Sequence, residues 1–143
     1  MKRNKILVPL DGSSTAETAL PKAIELAKPN GAAKLVLVRA VDPATFPDAS
    51  GQVAAINEAA EYLRSVAARV RNEGFDVVGQ SVCYTAAGPA IVEVARTVRP
   101  TVIVMVSRDA DRLGPGSVAE FVQDRTEMPV VLVTAPRHRR RWR

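Results

Sequence analysis

Four short segments carry the residue types that bind polar or charged ligands: Pro9-Leu10-Asp11-Gly12-Ser13, Arg39-Ala40-Val41-Asp42, Ser107-Arg108-Asp109 and Gly114-Pro115-Gly116-Ser117. Asp11 offers a carboxylate in a turn. Gly116-Ser117 precedes a helix start, whose N–H groups and dipole favour an anion. Covalent chemistry has no comparable candidate. The single cysteine, Cys83, has no basic neighbour or second thiol nearby in sequence and reads as a small core residue, and the single histidine, His138, stands among arginines. An internal disulfide, a zinc site and a His-based triad are therefore excluded within one chain. A phosphate loop of the G-x-x-x-x-G-K-S/T type is absent, as is G-x-G-x-x-G after the first apolar run. No strand end offers a nucleophile beside a histidine, so an enzyme is not expected.

The elements that must position these segments follow from periodicity. Lys5 to Leu10, Lys34 to Val41, Phe75 to Cys83, Thr101 to Val106 and Val130 to Thr134 are short apolar runs that read as strands. Ser14-Thr15-Ala16-Glu17 has capping-box spacing, and Ala16, Ala19, Leu20, Ala23, Ile24 and Ala27 form one helical stripe that ends at Pro29-Asn30-Gly31. Pro21 removes a hydrogen bond to the Glu17 carbonyl, which predicts a kink. Asp42 to Ser50 reads as a loop. Ile56, Ala60, Leu63, Ala67 and Val70 predict a second helix stopped at Gly74, with Glu58 and Glu61 on its wet face. Gly88-Pro89 is expected to open a third, with proline at its first position, and Ser117-Val118-Ala119-Glu120 to cap a fourth. Strands alternating with helices, and continuous rather than alternating apolar runs, imply a parallel sheet covered on both faces. Ligands of such sheets bind beyond the strands' carboxyl ends.

The chain has 143 residues, of which 47% are apolar, enough for one domain with one core. The net charge of +5 comes from Arg137, Arg139, Arg140, Arg141 and Arg143, which leave residues 1–136 formally neutral. That distribution predicts a basic, disordered tail over 137–143 rather than a basic groove, and makes nucleic-acid or acidic-surface binding a minor alternative. Aromatic residues make up only 4% of the chain, too few for base-stacking platforms. No apolar run approaches the roughly 20 residues of a membrane helix, so a cytoplasmic protein is expected.

Taken in order, Ile6-Leu7-Val8-Pro9-Leu10-Asp11-Gly12-Ser13, Thr18-Ala19-Leu20-Pro21-Lys22-Ala23, Gly88-Pro89-Ala90-Ile91, Val102-Ile103-Val104-Met105, Gly116-Ser117-Val118-Ala119 and Pro129-Val130-Val131-Leu132-Val133 closely resemble a universal stress protein domain. The resemblance covers residues 3 to 136. It implies a three-layer, doubly wound α/β domain over 1–136, with a five-stranded, mainly parallel sheet in the order 3-2-1-4-5. It also implies a homodimer through the fifth strand, Val130, Val131, Leu132 and Val133, an apolar edge that needs covering. The function implied is that of a non-catalytic stress-response regulator with an adenine-nucleotide site for ATP or AMP, at most a very weak ATP hydrolase. Pro9, Leu10 and Met105 would form the apolar lining, Asp11, Ala40 and Val41 would meet adenine or ribose, and Gly116, Ser117 and Val118 would present N–H groups to phosphate.

The chain departs from the nucleotide-binding members of that family at one place. Their motif after the fourth-strand methionine resembles Gly-x-x-Gly, nine residues, then Gly-Ser or Gly-Thr. Here Val106 and Asp109 stand at the two glycines, and only Ala110 to Pro115 precede Gly116-Ser117. A valine at 106 is expected to project toward the ribose. A carboxylate at 109 about 6 Å from a phosphate, at an effective dielectric of about 20, costs on the order of 3 kcal/mol. Arg108 and Arg112 would offset it, or Asp109 and Asp111 would hold magnesium against a bound nucleotide; no other metal site is expected. The expectation is a degenerate site, for ATP with magnesium or for a less charged adenine nucleotide, beside the alternative of a dimeric interaction module, with an unidentified protein partner, that binds none.

Overall fold

A computed structural model describes residues 4–28, 33–75, 77–107 and 117–134. The strands are β1 (Lys5–Pro9), β2 (Lys34–Ala40), β3 (Val77–Cys83), β4 (Val102–Ser107) and β5 (Val130–Thr134). They form one sheet in the order β3-β2-β1-β4-β5, and every neighbouring pair is parallel. Helices α1 (Ser14–Glu17), α2 (Ala19–Ala27), α3 (Ala49–Asn72), α4 (Ala87–Val98) and α5 (Val118–Arg125) make the crossovers. The α/β class and strand order are those expected from the sequence.

Side chains alternate across the strands, so one sheet feeds two cores. Ile6, Val8, Leu35, Leu37 and Val104 pack beneath α2 and α3 with Ala23, Leu63, Val66 and Val70. Leu7, Val36, Val38, Ile103 and Met105 pack on the other face with Ile91, Ala95 and Val122 of α4 and α5. Leu7, Leu35, Leu37, Leu63 and Ile103 are wholly removed from solvent, each contributing about 1.5–3 kcal/mol of burial. That double covering is why β1, β2 and β4 read as unbroken apolar runs.

Three elements differ from expectation, each for a local reason. The first helix is not kinked but divided at Thr18, because proline at 21 supplies no N–H for the Glu17 carbonyl; the Thr18 Oγ1 instead donates to the Thr15 carbonyl at 2.6 Å. The third helix begins at Ala49 rather than near Ile56, because the Asp48 carboxylate caps it by accepting the Gly51 N–H at 2.7 Å. The expected loop shrinks to a 3₁₀ turn at Pro43–Thr45, and Ala59 and Val66 join the buried stripe while Ile56 and Ala60 are only half-buried. Helix α4 starts at Ala87, so Pro89 occupies its third position, not its first. Gly88 belongs there for packing: a Cβ would lie 2.7 Å from the Phe121 Cδ1, so its absence lets α5 close on α4.

Candidate site at the carboxyl edge of the sheet

Because all five strands run the same way, their carboxyl ends share one edge, and the chain leaves β1 and β4 in opposite directions there. The β1 ladder persists into the turn, where the Leu10 N–H donates to the Val38 carbonyl at 2.8 Å. Asp11 then folds the chain back. Its Oδ1 accepts the Ser13 N–H at 2.9 Å and the Ser13 hydroxyl at 2.5 Å, the geometry of an Asx turn. Gly12 takes a φ of +90°, which favours glycine. Ser13, rather than Ser14, caps α1 by accepting the Ala16 N–H at 3.1 Å. The capping box expected from Ser14 and Glu17 is therefore not formed.

Glu17 is engaged elsewhere. The Tyr62 hydroxyl donates to its Oε2 and the Arg69 guanidinium to its Oε1, each at 2.6 Å, tying α1 to α3. Burial alone would raise the Glu17 carboxyl, but those two hydrogen bonds and the Arg69 charge hold it below its usual range. The Tyr62 phenol is pushed the opposite way, by burial and then by the Glu17 carboxylate, and stays a neutral donor. Its ring faces Arg39, whose guanidinium carbon lies 5.1 Å from the ring centroid. The same guanidinium occupies the space beside Gly12 that any side chain at 12 would need. The Arg39 Nε is buried and has no hydrogen-bond partner among the described residues.

The other expected site residues take these places. Pro9 is half-buried at the end of β1, and Leu10 is buried with the α2–α3 core. Ala40 ends β2; Val41 is buried and its N–H donates to the Cys83 carbonyl at 2.8 Å. Met105 is buried on the α4–α5 face. Val106, expected to project toward the ribose, is half-buried against the α2–α3 core. Ser117 caps α5 by accepting the Glu120 N–H at 3.0 Å, and Val118 is exposed at that helix start. Gly116, Asp109, Asp111, Arg108, Arg112 and the arginine tail lie outside the described residues.

Among the described residues no group of three or more His, Cys, Asp or Glu is placed to hold a metal. The half-buried Cys83 thiol is pushed up by burial and then by the Glu93 charge, which suppresses thiolate chemistry. An open groove lined by Val92, Glu93, Arg96 and Phe121 runs along the flanks of α4 and α5, not across the strand ends. No described helix is long and apolar enough to cross a membrane.

A universal stress protein family model matches residues 2–134, and the chain belongs to that family. A protein of the family from Burkholderia pseudomallei shares 31% identity over 91% of this chain and 95% of its own, with a TM-score of 0.70. A universal stress protein solved in complex with cAMP is 24% identical over 95% of this chain and 100% of its own, with a TM-score of 0.72. One from Archaeoglobus fulgidus in complex with dAMP is 24% identical over 92% and 97%, with a TM-score of 0.67. At that identity the last two likenesses speak for the fold. No match was found among curated proteins.

Sequence reasoning placed Arg39 at this edge without assigning it a role, and missed the Glu17, Tyr62 and Arg69 link. The signal for Arg39 was present: it lies two residues beyond Leu37 and four beyond Leu35, so its side chain shares their covered face. Nothing local marks the link, whose partners are 45 and 52 residues apart. Because folded Glu17 releases its proton more readily than unfolded Glu17, the link contributes stability above the ordinary carboxyl value of 4.5 and loses it as pH falls. Glu17→Gln is expected to lower thermal stability at pH 7 and to flatten its fall between about pH 5 and 3. An unaltered pH profile in calorimetry would contradict the assignment.

Proposed function

We propose that this chain is a non-catalytic, cytoplasmic regulator of the stress response that takes an adenine nucleotide at the carboxyl edge between β1 and β4. The observation that carries the reading is the divergence of the chain after those two adjacent strands, which leaves the Asp11 turn and the start of α5 on the same edge. The residues present suit such a ligand. Asp11 is exposed in a turn fixed by Ser13, where its carboxylate suits ribose hydroxyls, and the main chain at Ala40 and Val41 suits the edge of a base. Ser117 opens a helix whose first N–H groups suit phosphate. The cAMP and dAMP complexes concern other proteins of the same fold, and they make adenine nucleotides the first ligands to test. Magnesium, where a polyphosphate binds, would come with the phosphates. Nothing in the mechanism requires turnover: the ligand is bound and its presence is read by a partner.

The unit we propose is a homodimer through β5. The Ile103 N–H donates to the Pro129 carbonyl at 2.9 Å, so the neighbouring N–H groups of Val130 and Leu132 face away from β4, along a half-buried apolar edge. A second copy of the same strand would satisfy them.

Two measurements test these readings. Protein purified without added nucleotide and then heat-denatured is expected to release an adenine nucleotide detectable by mass spectrometry, or to show a saturable heat on titration with AMP or Mg-ATP. An empty extract together with flat titrations would reject the binding reading. Sedimentation equilibrium is expected to give twice the 15.3 kDa chain mass, and Val130→Pro, which removes an outward N–H, to give monomer. Wild-type protein that sediments as a monomer would reject the dimer.

A further inference from the structure

Glu17, Tyr62, Arg69 and Arg39 form one cluster between α1, α3 and β2, with Glu17 as its acid. Beside them lies the turn that carries Asp11. Residues 11–18 join the buried Leu10 to the buried Ala19, and none of them is itself buried. Helix α1 has four residues, too few to hold a direction unaided, so the turn ahead of it takes its position from side chains outside the segment. Those side chains close a ring. The β1 ladder sets Pro9 against Val38, which brings Arg39 level with Leu10, and its guanidinium lies where any Cβ at Gly12 would stand. The guanidinium carbon is 5.1 Å from the centroid of the Tyr62 ring. Tyr62 donates at 2.6 Å to Glu17, the last residue of α1, and from there the chain leads back to the Ser13 cap and the turn.

We propose that Arg39, Tyr62 and Glu17 are positioning residues for Asp11, holding the turn so that its carboxylate meets the ribose hydroxyls and the site selects ligands that carry them. This rests on the nucleotide reading above and keeps its placement, with the base at Ala40 and Val41, the ribose at Asp11 and phosphate at the start of α5. None of the three is required to touch the ligand. Each removes freedom from a turn that would otherwise be ordered only as the ribose binds, and ordering at that moment is subtracted from affinity. The Asp11 Oδ1 accepts both the amide and the hydroxyl of Ser13, so the carboxylate moves with the turn. A displaced turn therefore displaces the acceptor.

The test compares AMP with its 2′,3′-dideoxy analogue, which has no ribose hydroxyl, by calorimetric titration of wild type, Tyr62→Phe, Asp11→Asn and the double variant. Phenylalanine keeps the ring beside Arg39 and removes only the donor to Glu17. Tyr62→Phe is expected to weaken AMP roughly threefold to tenfold and to leave the dideoxy ligand unchanged. Asp11→Asn is expected to remove most of the preference for AMP, and Tyr62→Phe then to add nothing. Without ligand, the Ser13 amide, which donates to Asp11, is expected to exchange its hydrogen faster in Tyr62→Phe. Unchanged AMP affinity or unchanged Ser13 exchange in Tyr62→Phe would overturn the positioning role. An equal loss for both ligands, or an additive loss in the double variant, would do the same, since either marks general loosening of the fold. Wild type that binds both ligands equally would overturn the Asp11 contact with ribose and the positioning role with it, while the nucleotide reading stood. Wild type that binds neither would overturn that reading and this inference together.

Discussion

The burial of a parallel sheet on both faces governs everything else in this molecule. A strand covered above and below can place polar groups only at its ends. Along β1 and β2, from Ile6 to Val8 and from Leu35 to Val38, no side chain reaches solvent appreciably. The first polar side chains beyond those runs, Asp11, Arg39 and Asp42, consequently gather at the carboxyl edge. The crossover helices start at that edge as well, where Ser13, Asp48 and Ser117 cap α1, α3 and α5 while α4, preceded by Ala86, has no side-chain cap. Polar side chains are thereby confined to the strand ends, and at the carboxyl end they meet the helix starts.

The Glu17 contact with Tyr62 and Arg69 then determines how that edge is held. It fastens the short α1, which carries the Asp11 turn at its start, to the long α3 across the top of the α2–α3 core. Because the one acid of the cluster is consumed in this fastening, the second arginine is left to face the turn. A single carboxylate thus joins the two helices beside the turn.

Most of the fold was legible because it rests on short-range patterns. Apolar runs located all five strands, and Gly74 marked the turn after α3. Boundaries were lost where a polar side chain decided them. Asp48 extends α3 seven residues beyond its apolar stripe, and Ser13 rather than Ser14 caps α1. The site was legible in part. Asp11, Ala40, Val41 and Ser117 stood at strand and helix ends, whereas the use of Glu17 depends on partners on another helix that no local spacing reveals. Val106 shows the converse limit: the motif position was readable, but the direction of its side chain followed from strand alternation, which turns it toward the α2–α3 core.

The central claim is that the carboxyl edge, from the Asp11 turn to the start of α5, is a ligand-binding surface for adenine nucleotides. Its most direct test is a ¹⁵N-resolved NMR titration of the full chain with AMP. The account predicts saturable shifts confined to amides of Asp11–Ser13, Arg39–Asp42 and Ser117–Ala119. Shifts centred on the α4–α5 groove around Val92 and Phe121, with that edge unmoved, would contradict it.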